Sequence, residues 1–174
     1  MPDKNVIRQA RRDKREGKAA TTQAGEFIRE EIHHIREGKH GARSTKQAIA
    51  IGLSKARRAG VDLKPPARGE VSEKTRQSAE RAYARGHGAP ARQAPSARRA
   101  RATLTALKHE GHRVASHKAL SRHAHSAAAK RGPLERSAAA SKAVRTKGAA
   151  GRSAAARKAA RTRSGRSGRS QSSS

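Results

Sequence analysis

Five histidines fall in one short segment, His109, His112, His117, His123 and His125, and two more adjoin a carboxylate pair in Glu30-Glu31-Ile32-His33-His34. Histidines one helical turn apart, such as His109 and His112, can share a metal ion, as can an alternating pair such as His123 and His125 on extended chain. Neither pair is completed: the chain has no cysteine, Glu110 is the one carboxylate close by, and Gly111 interrupts the helix. A basic segment whose charge rises modestly below a pH of about 6.5 accounts for these residues without a metal. Catalysis by the Glu30-Glu31 and His33-His34 pairs would need a pocket, and the chain has too few large apolar residues to enclose one. Gly17-Lys18 and Gly38-Lys39 lack the upstream glycine and the following Ser or Thr of a phosphate-binding loop. No enzyme activity, metal or cofactor is therefore expected.

The chemistry that remains is that of cations. The 174 residues carry 42 Lys+Arg against 13 Asp+Glu, a net charge of +29, and arginine outnumbers lysine 28 to 14. A guanidinium offers a planar, two-pronged donor set that fits phosphate oxygens, whereas an ammonium is a point charge. Phe27 and Tyr83 are the only aromatics, so the stacking platforms of RNA-recognition and single-strand-binding modules are absent. Thirty-seven alanines leave 20 larger apolar residues. So few cannot order 174 residues when each costs roughly 1–2 kcal/mol of backbone entropy. One small ordered part is expected, within a mostly α chain. No apolar run is long enough to span a membrane, and the charged Met1 to Ala20 stretch lacks the apolar middle of a secretory signal. A cytoplasmic protein is the expectation.

The ordered part is expected at 22–63, after a basic amino-terminal arm at 1–21. Thr22 can cap a helix running to about Glu37, with Glu26 in its first turn and Ile28, Ile32 and Ile35 forming a stripe widened by Phe27. Gly38 stands where a left-handed stop belongs. Ser44, with Gln47 three residues on, forms a capping-box pattern for a second helix. Ala48, Ile49, Gly52, Leu53 and Ala56 line its inner face. Glycine inside a helix costs about 1 kcal/mol relative to alanine, so Gly52 is explained by close approach of the first helix. Gly60 ends the pattern, and Val61 and Leu63 close the hairpin before Pro65-Pro66. So small a hairpin would be stabilised by dimerisation through 22–60 or by a nucleic-acid partner. Lys46, Lys55, Arg57 and Arg58 on the second helix are candidate phosphate ligands. The second helix has few of the Asn, Gln or Ser side chains that read base edges at a helix start, which favours sequence-independent contact.

The stretch from Arg36 to Gly60 (REGKHGARSTKQAIAIGLSKARRAG) resembles the signature of an uncharacterised family of small, very basic bacterial proteins, and the likeness covers about Gly25 to Pro66. Members are described as DNA-binding or histone-like, so the resemblance implies a bacterial, cytoplasmic protein of that kind and carries over no catalytic residue.

Residues 64–110 read as a linker with two short serine-capped helices, at Ser72 to Arg85 and Ser96 to Glu110, separated by a Gly- and Pro-rich stretch reaching Pro95. Residues 111–174 carry 16 basic residues and one acid, Glu135. This low-complexity tail repeats Ser-Ala-Ala-Ala at 126–129, 137–140 and 153–156. Units of about ten residues are good helix sequences but marginal alone, so a disordered tail is expected whose units fold when phosphate neutralises them. Arg152, Arg157, Lys158, Arg161, Arg163, Arg166 and Arg169 are its candidate ligands. The tail resembles the carboxy-terminal arms of linker-histone-type proteins and of bacterial histone-like proteins. It departs from the eukaryotic arm in its arginine excess and in lacking Ser-Pro-Lys-Lys repeats.

Together these features point to a histone-like, largely sequence-independent DNA-binding protein of the nucleoid. RNA or ribosome binding is the first alternative, and a protein-interaction hairpin with a localising tail the second.

Overall fold

The computed structural model describes residues 2–89 and 96–170, without the side chains of 146, 147 and 163–170. The Pro90–Pro95 part of the expected linker lies outside the described residues. The described chain is mostly α and divides into two compact units, Met1–Ala124 and His125–Ser174.

The first unit is built on the hairpin of α2 (Ala20–Arg36) and α3 (Thr45–Arg58). α2 begins earlier than its sequence suggests. Ala19, not Thr22, is the cap, and the Gln23 amide donates to the Lys18 carbonyl at 2.8 Å, so a side chain from inside the first turn secures the approach to the helix. Gly38 ends α2 at φ 74°. Its N–H donates to the Ile35 carbonyl and that of Lys39 to the His34 carbonyl, which satisfies two terminal acceptors in a Schellman turn. Ser44 caps α3, accepting from the Gln47 N–H at 3.2 Å, while the Gln47 side chain accepts from the N–H of Arg43 at 2.7 Å. The capping box is thus shifted by one residue on its return arm. Gly60 closes α3 at φ 86°, with Val61 N–H donating to the Ala56 carbonyl.

Close packing depends on Gly52, as its place on the inner face suggests. A Cβ there would stand 2.8 Å from the Cα of Ile28, closer than real side chains approach. Two apolar clusters flank this contact. One joins Phe27 and Ala24 to Ala56, Val61 and Ala10; the other joins Ile32 and Ile35 to Ala42, Ala48 and Ala115.

Ala10 and Ala115 come from segments expected to be outside the ordered part. Residues 4–15 are not a free arm: they form α1 (Lys4–Arg15), capped by Asp3, whose Val6, Ile7 and Ala10 pack on the Phe27 cluster. Beyond the hairpin, α4 (Glu73–Gly86) docks on α3 through buried Ala79 and Ala82. Ser72 and Ser96 cap α4 and α5 (Ala97–Lys108) as expected. The chain then returns to the hairpin loop. Gly41 N–H donates to the Leu107 carbonyl at 2.8 Å, and Arg36 Nε and Thr45 Oγ1 donate to the carbonyls of Ala115 and Val114, each at 2.8 Å. A 3-10 turn (Arg113–Ala115) and the start of α6 (His117–Ala129) place Val114, Ala115 and Leu120 against Ile32 and Ile35. The hairpin's apolar stripe is therefore covered by its own chain at both ends.

In the second unit, α7 (Pro133–Ser170) is broken at Gly148, which has φ 63° and ψ 178°. Every described side chain of α7 is exposed. The helix starts at Pro133, a residue suited to a first turn, so the repeats do not begin at serine caps. Ser153 instead donates its hydroxyl back to the Ala149 carbonyl at 3.1 Å, the mid-helix alternative to capping. No helix among the described residues is long and apolar enough to cross a membrane.

Candidate nucleic-acid interface

The hairpin cations divide into two pairs. Lys55 is turned inward: its ammonium lies 2.6 Å from Glu31 Oε2 and 3.8 Å from Glu30 Oε2. Arg57 is buried at 8% exposure and donates to the carbonyls of Leu63 and Lys64. Burial lowers its pKa from the ordinary value; the group ties the chain leaving α3 back to the helix. Both sit inside the fold rather than on a phosphate-facing surface. Arg58 donates to the Ser54 carbonyl and hydroxyl but remains exposed, and Lys46 is exposed.

Lys46 has partners that sequence reasoning missed. With Lys64 and Lys74 it rims an open groove of about 840 Å³ between α3 and α4, floored by Ile49, Leu53 and Val71. All three lysines are exposed. The pattern that could have found them is the apolar series Ile49, Leu53 and Val71, which needs a second helix to cover it.

Three acids of this unit go the other way. Asp13, Glu30 and Glu31 are buried, at 2%, 8% and 1% exposure. Asp13 accepts from Lys18 Nζ at 2.8 Å and from the Gln9 amide at 3.1 Å. Glu30 Oε1 accepts from the Asp3 N–H at 2.6 Å. These carboxylates are kept inside by hydrogen bonds and ion pairs, and the pairing draws Lys55 inward with Glu31. Glu16 remains at the surface, where Lys18 and Arg12 hydrogen bonds pull its pKa down to about 2. Asp62 is likewise lowered by the Tyr83 hydroxyl, which donates to it at 2.6 Å.

Along α7 the candidates Arg152, Arg157, Lys158 and Arg161 are exposed. They span roughly 14 Å of helix at 1.5 Å per residue and, at 3.6 residues per turn, point to several sides. Arg152 Nε donates to the Gly148 carbonyl at 3.2 Å, across the break. The side chains of Arg163, Arg166 and Arg169 lie outside the described residues.

Of the five clustered histidines, His109, His112, His117 and His125 are exposed and His123 is half-buried. The group that does converge is elsewhere: Glu31, His34 and His40 lie around the end of α2. The adjoining His33 turns outward to Glu37 Oε1 at 2.9 Å. Burial, then the charges of Lys55 and Lys39, holds the His34 imidazole below its ordinary pKa and favours the neutral ring. Its sequence signal was Glu31-x-x-His34, one turn apart, with His40 just past the Gly38 stop.

These features define a small helical protein with a basic helical extension. Over residues 11–68, from the second half of α1 through the turn after α3, it is similar to a family of unknown function (DUF6496). That match includes the whole Gly25 to Pro66 stretch that carried the family resemblance. No curated protein and no solved structure matches the chain.

Proposed function

We propose that this protein is a histone-like, largely sequence-independent DNA-binding protein of the nucleoid that neutralises phosphates and draws DNA segments together. The observation that carries this reading is the separation of charge. Twelve of the thirteen acids lie in the first unit, three of them buried, while residues 111–174 set 16 cations against the single acid Glu135. Cations that point to several sides of one helix suit envelopment by phosphates better than docking through one face. Self-repulsion at that density is relieved by a polyanion. Lys46, Lys64 and Lys74 add a second patch on the folded unit.

Competition between duplex DNA and structured RNA for the full-length chain, at equal salt, tests the reading. Retention on duplex DNA, with affinity falling steeply as salt rises, is expected. Preferential release onto RNA, or affinity indifferent to salt, would overturn it.

A further inference from the structure

Glu31 and His34 stand one turn apart on α2, the spacing at which a carboxylate and an imidazole share a face of a helix and bind metals in helical bundles. The Schellman turn at Gly38 brings His40 back to that face. One potential ligand atom from each residue lies within 4.8 Å of the others, and among the described residues no other such group of three forms.

Glu31 is the centre of the group. It is buried at 1% exposure, and its two carboxylate oxygens are met by side-chain nitrogens alone. Lys55 Nζ meets Oε2 at 2.6 Å, and His40 Nε2 stands 3.3 Å from Oε1. His40 has already committed its other nitrogen: Nδ1 is 3.0 Å from the Gly41 carbonyl, an acceptor only, so Nδ1 is the donor. In a neutral ring Nε2 is then a bare lone pair facing a carboxylate oxygen. Two lone pairs at that distance in a buried place need a positive centre between them.

We propose that Glu31 Oε1, His34 and His40 Nε2 form a binding site for a divalent transition-metal ion of the zinc type. With bonds of about 2.0–2.1 Å, two ligand atoms on a tetrahedral ion are about 3.3–3.5 Å apart. The Oε1 to Nε2 separation already has that length, and His34 offers a ligand atom within 4.8 Å of one on each of the other two residues. The Gly41 carbonyl fixes the tautomer and orientation of His40, as an outer-shell partner does in established metal sites. Three protein donors leave a fourth position for water. A proton on His40 would also fill the gap, as an ion pair with Glu31, but it engages two of the three donors and leaves His34 idle. Lys55, on the opposite carboxylate oxygen, sets an upper bound on affinity by its charge.

Titration of the full-length chain with cobalt(II) chloride, followed by displacement with zinc chloride, separates these states. One equivalent of cobalt with visible bands of low coordination number is expected, bleached by zinc. His34→Gln and His40→Gln each lower affinity at least about tenfold, while His112→Gln and His123→Gln leave it unchanged. Circular dichroism confirms that each variant retains its helices. Should either ligand variant unfold, the imidazole nitrogen shifts of His34 and His40 in the wild-type chain decide, since zinc must move both before any histidine of 109–125. Cobalt binding that survives both ligand variants, or zinc shifts absent from those two rings, overturns the site.

Discussion

α3 and α7 are written in nearly the same letters. Both are rich in Ala, Lys and Arg, and both hold glycine within the helix. In α3 glycine is a point of contact, because Gly52 admits the backbone of Ile28. In α7 Gly148 breaks the helix, with nothing within 4 Å of where its Cβ would be. The two regions differ through their neighbours. α3 faces Phe27, Ile28 and Ile32 on α2, whereas α7 carries Leu134 and Val144 in the open. Acids follow the same division, with three buried beside the hairpin and one, Glu135, in the tail. Composition alone therefore says little about which basic helix folds into a core and which stays available to a polyanion; a partner surface decides.

The largest contrast should come from apolar truncation. Phe27 has no exposed surface, so Phe27→Ala should destabilise the first unit by about 3–5 kcal/mol. Leu134 is 86% exposed, and Leu134→Ala should stay within about 0.5 kcal/mol. Urea unfolding followed by circular dichroism compares them. Next, Gly52→Leu should lower stability by at least about 1–3 kcal/mol through overpacking against Ile28, while Ala155→Leu in α7 should leave the unfolding midpoint in place. Equal responses in either comparison would break the distinction between the regions.

Caps give a smaller contrast. Ser44→Ala removes a bonded cap and should cost about 1 kcal/mol. Ser153→Ala removes only a back-bonded hydroxyl and should leave helicity unchanged or raised. The smallest effect concerns pH. Glu16 titrates near 2 in the folded unit against an ordinary 4.5. Its stabilisation is therefore complete above 4.5 and is lost as the pH falls toward 2. A Glu16→Gln variant should show a slightly shallower acid limb in thermal unfolding, and more so at low salt.

Much of the hairpin was legible because its signals are local. Ser44 with Gln47, Gly38, Gly60 and the Gly52 close approach each act within a few residues or across one short loop. What escaped was long-range. Arg36 reaches Ala115 across 79 residues, and the segment that covers Ile32 and Ile35 offers only Val114, Ala115 and Leu120 amid histidines and cations. α1 was obscured similarly: Val6, Ile7 and Ala10 make a stripe one turn long within a charged stretch that reads as an arm. Lys55 and Arg57 show the same limit for the site. A cation's place on a helix face does not reveal whether a buried carboxylate or carbonyl waits beneath it.

The central claim, that phosphate binding resides in the exposed basic extension and folding in the first unit, is tested most directly by the salt dependence of duplex-DNA affinity. For the full-length chain with about ten phosphate contacts, log affinity should fall against log salt with a slope near −9. Neutralising Arg152, Arg157, Lys158 and Arg161 together to Gln should make that slope shallower by about 3–4 and leave the unfolding midpoint unchanged. A slope that stays the same in the quadruple variant would contradict the account.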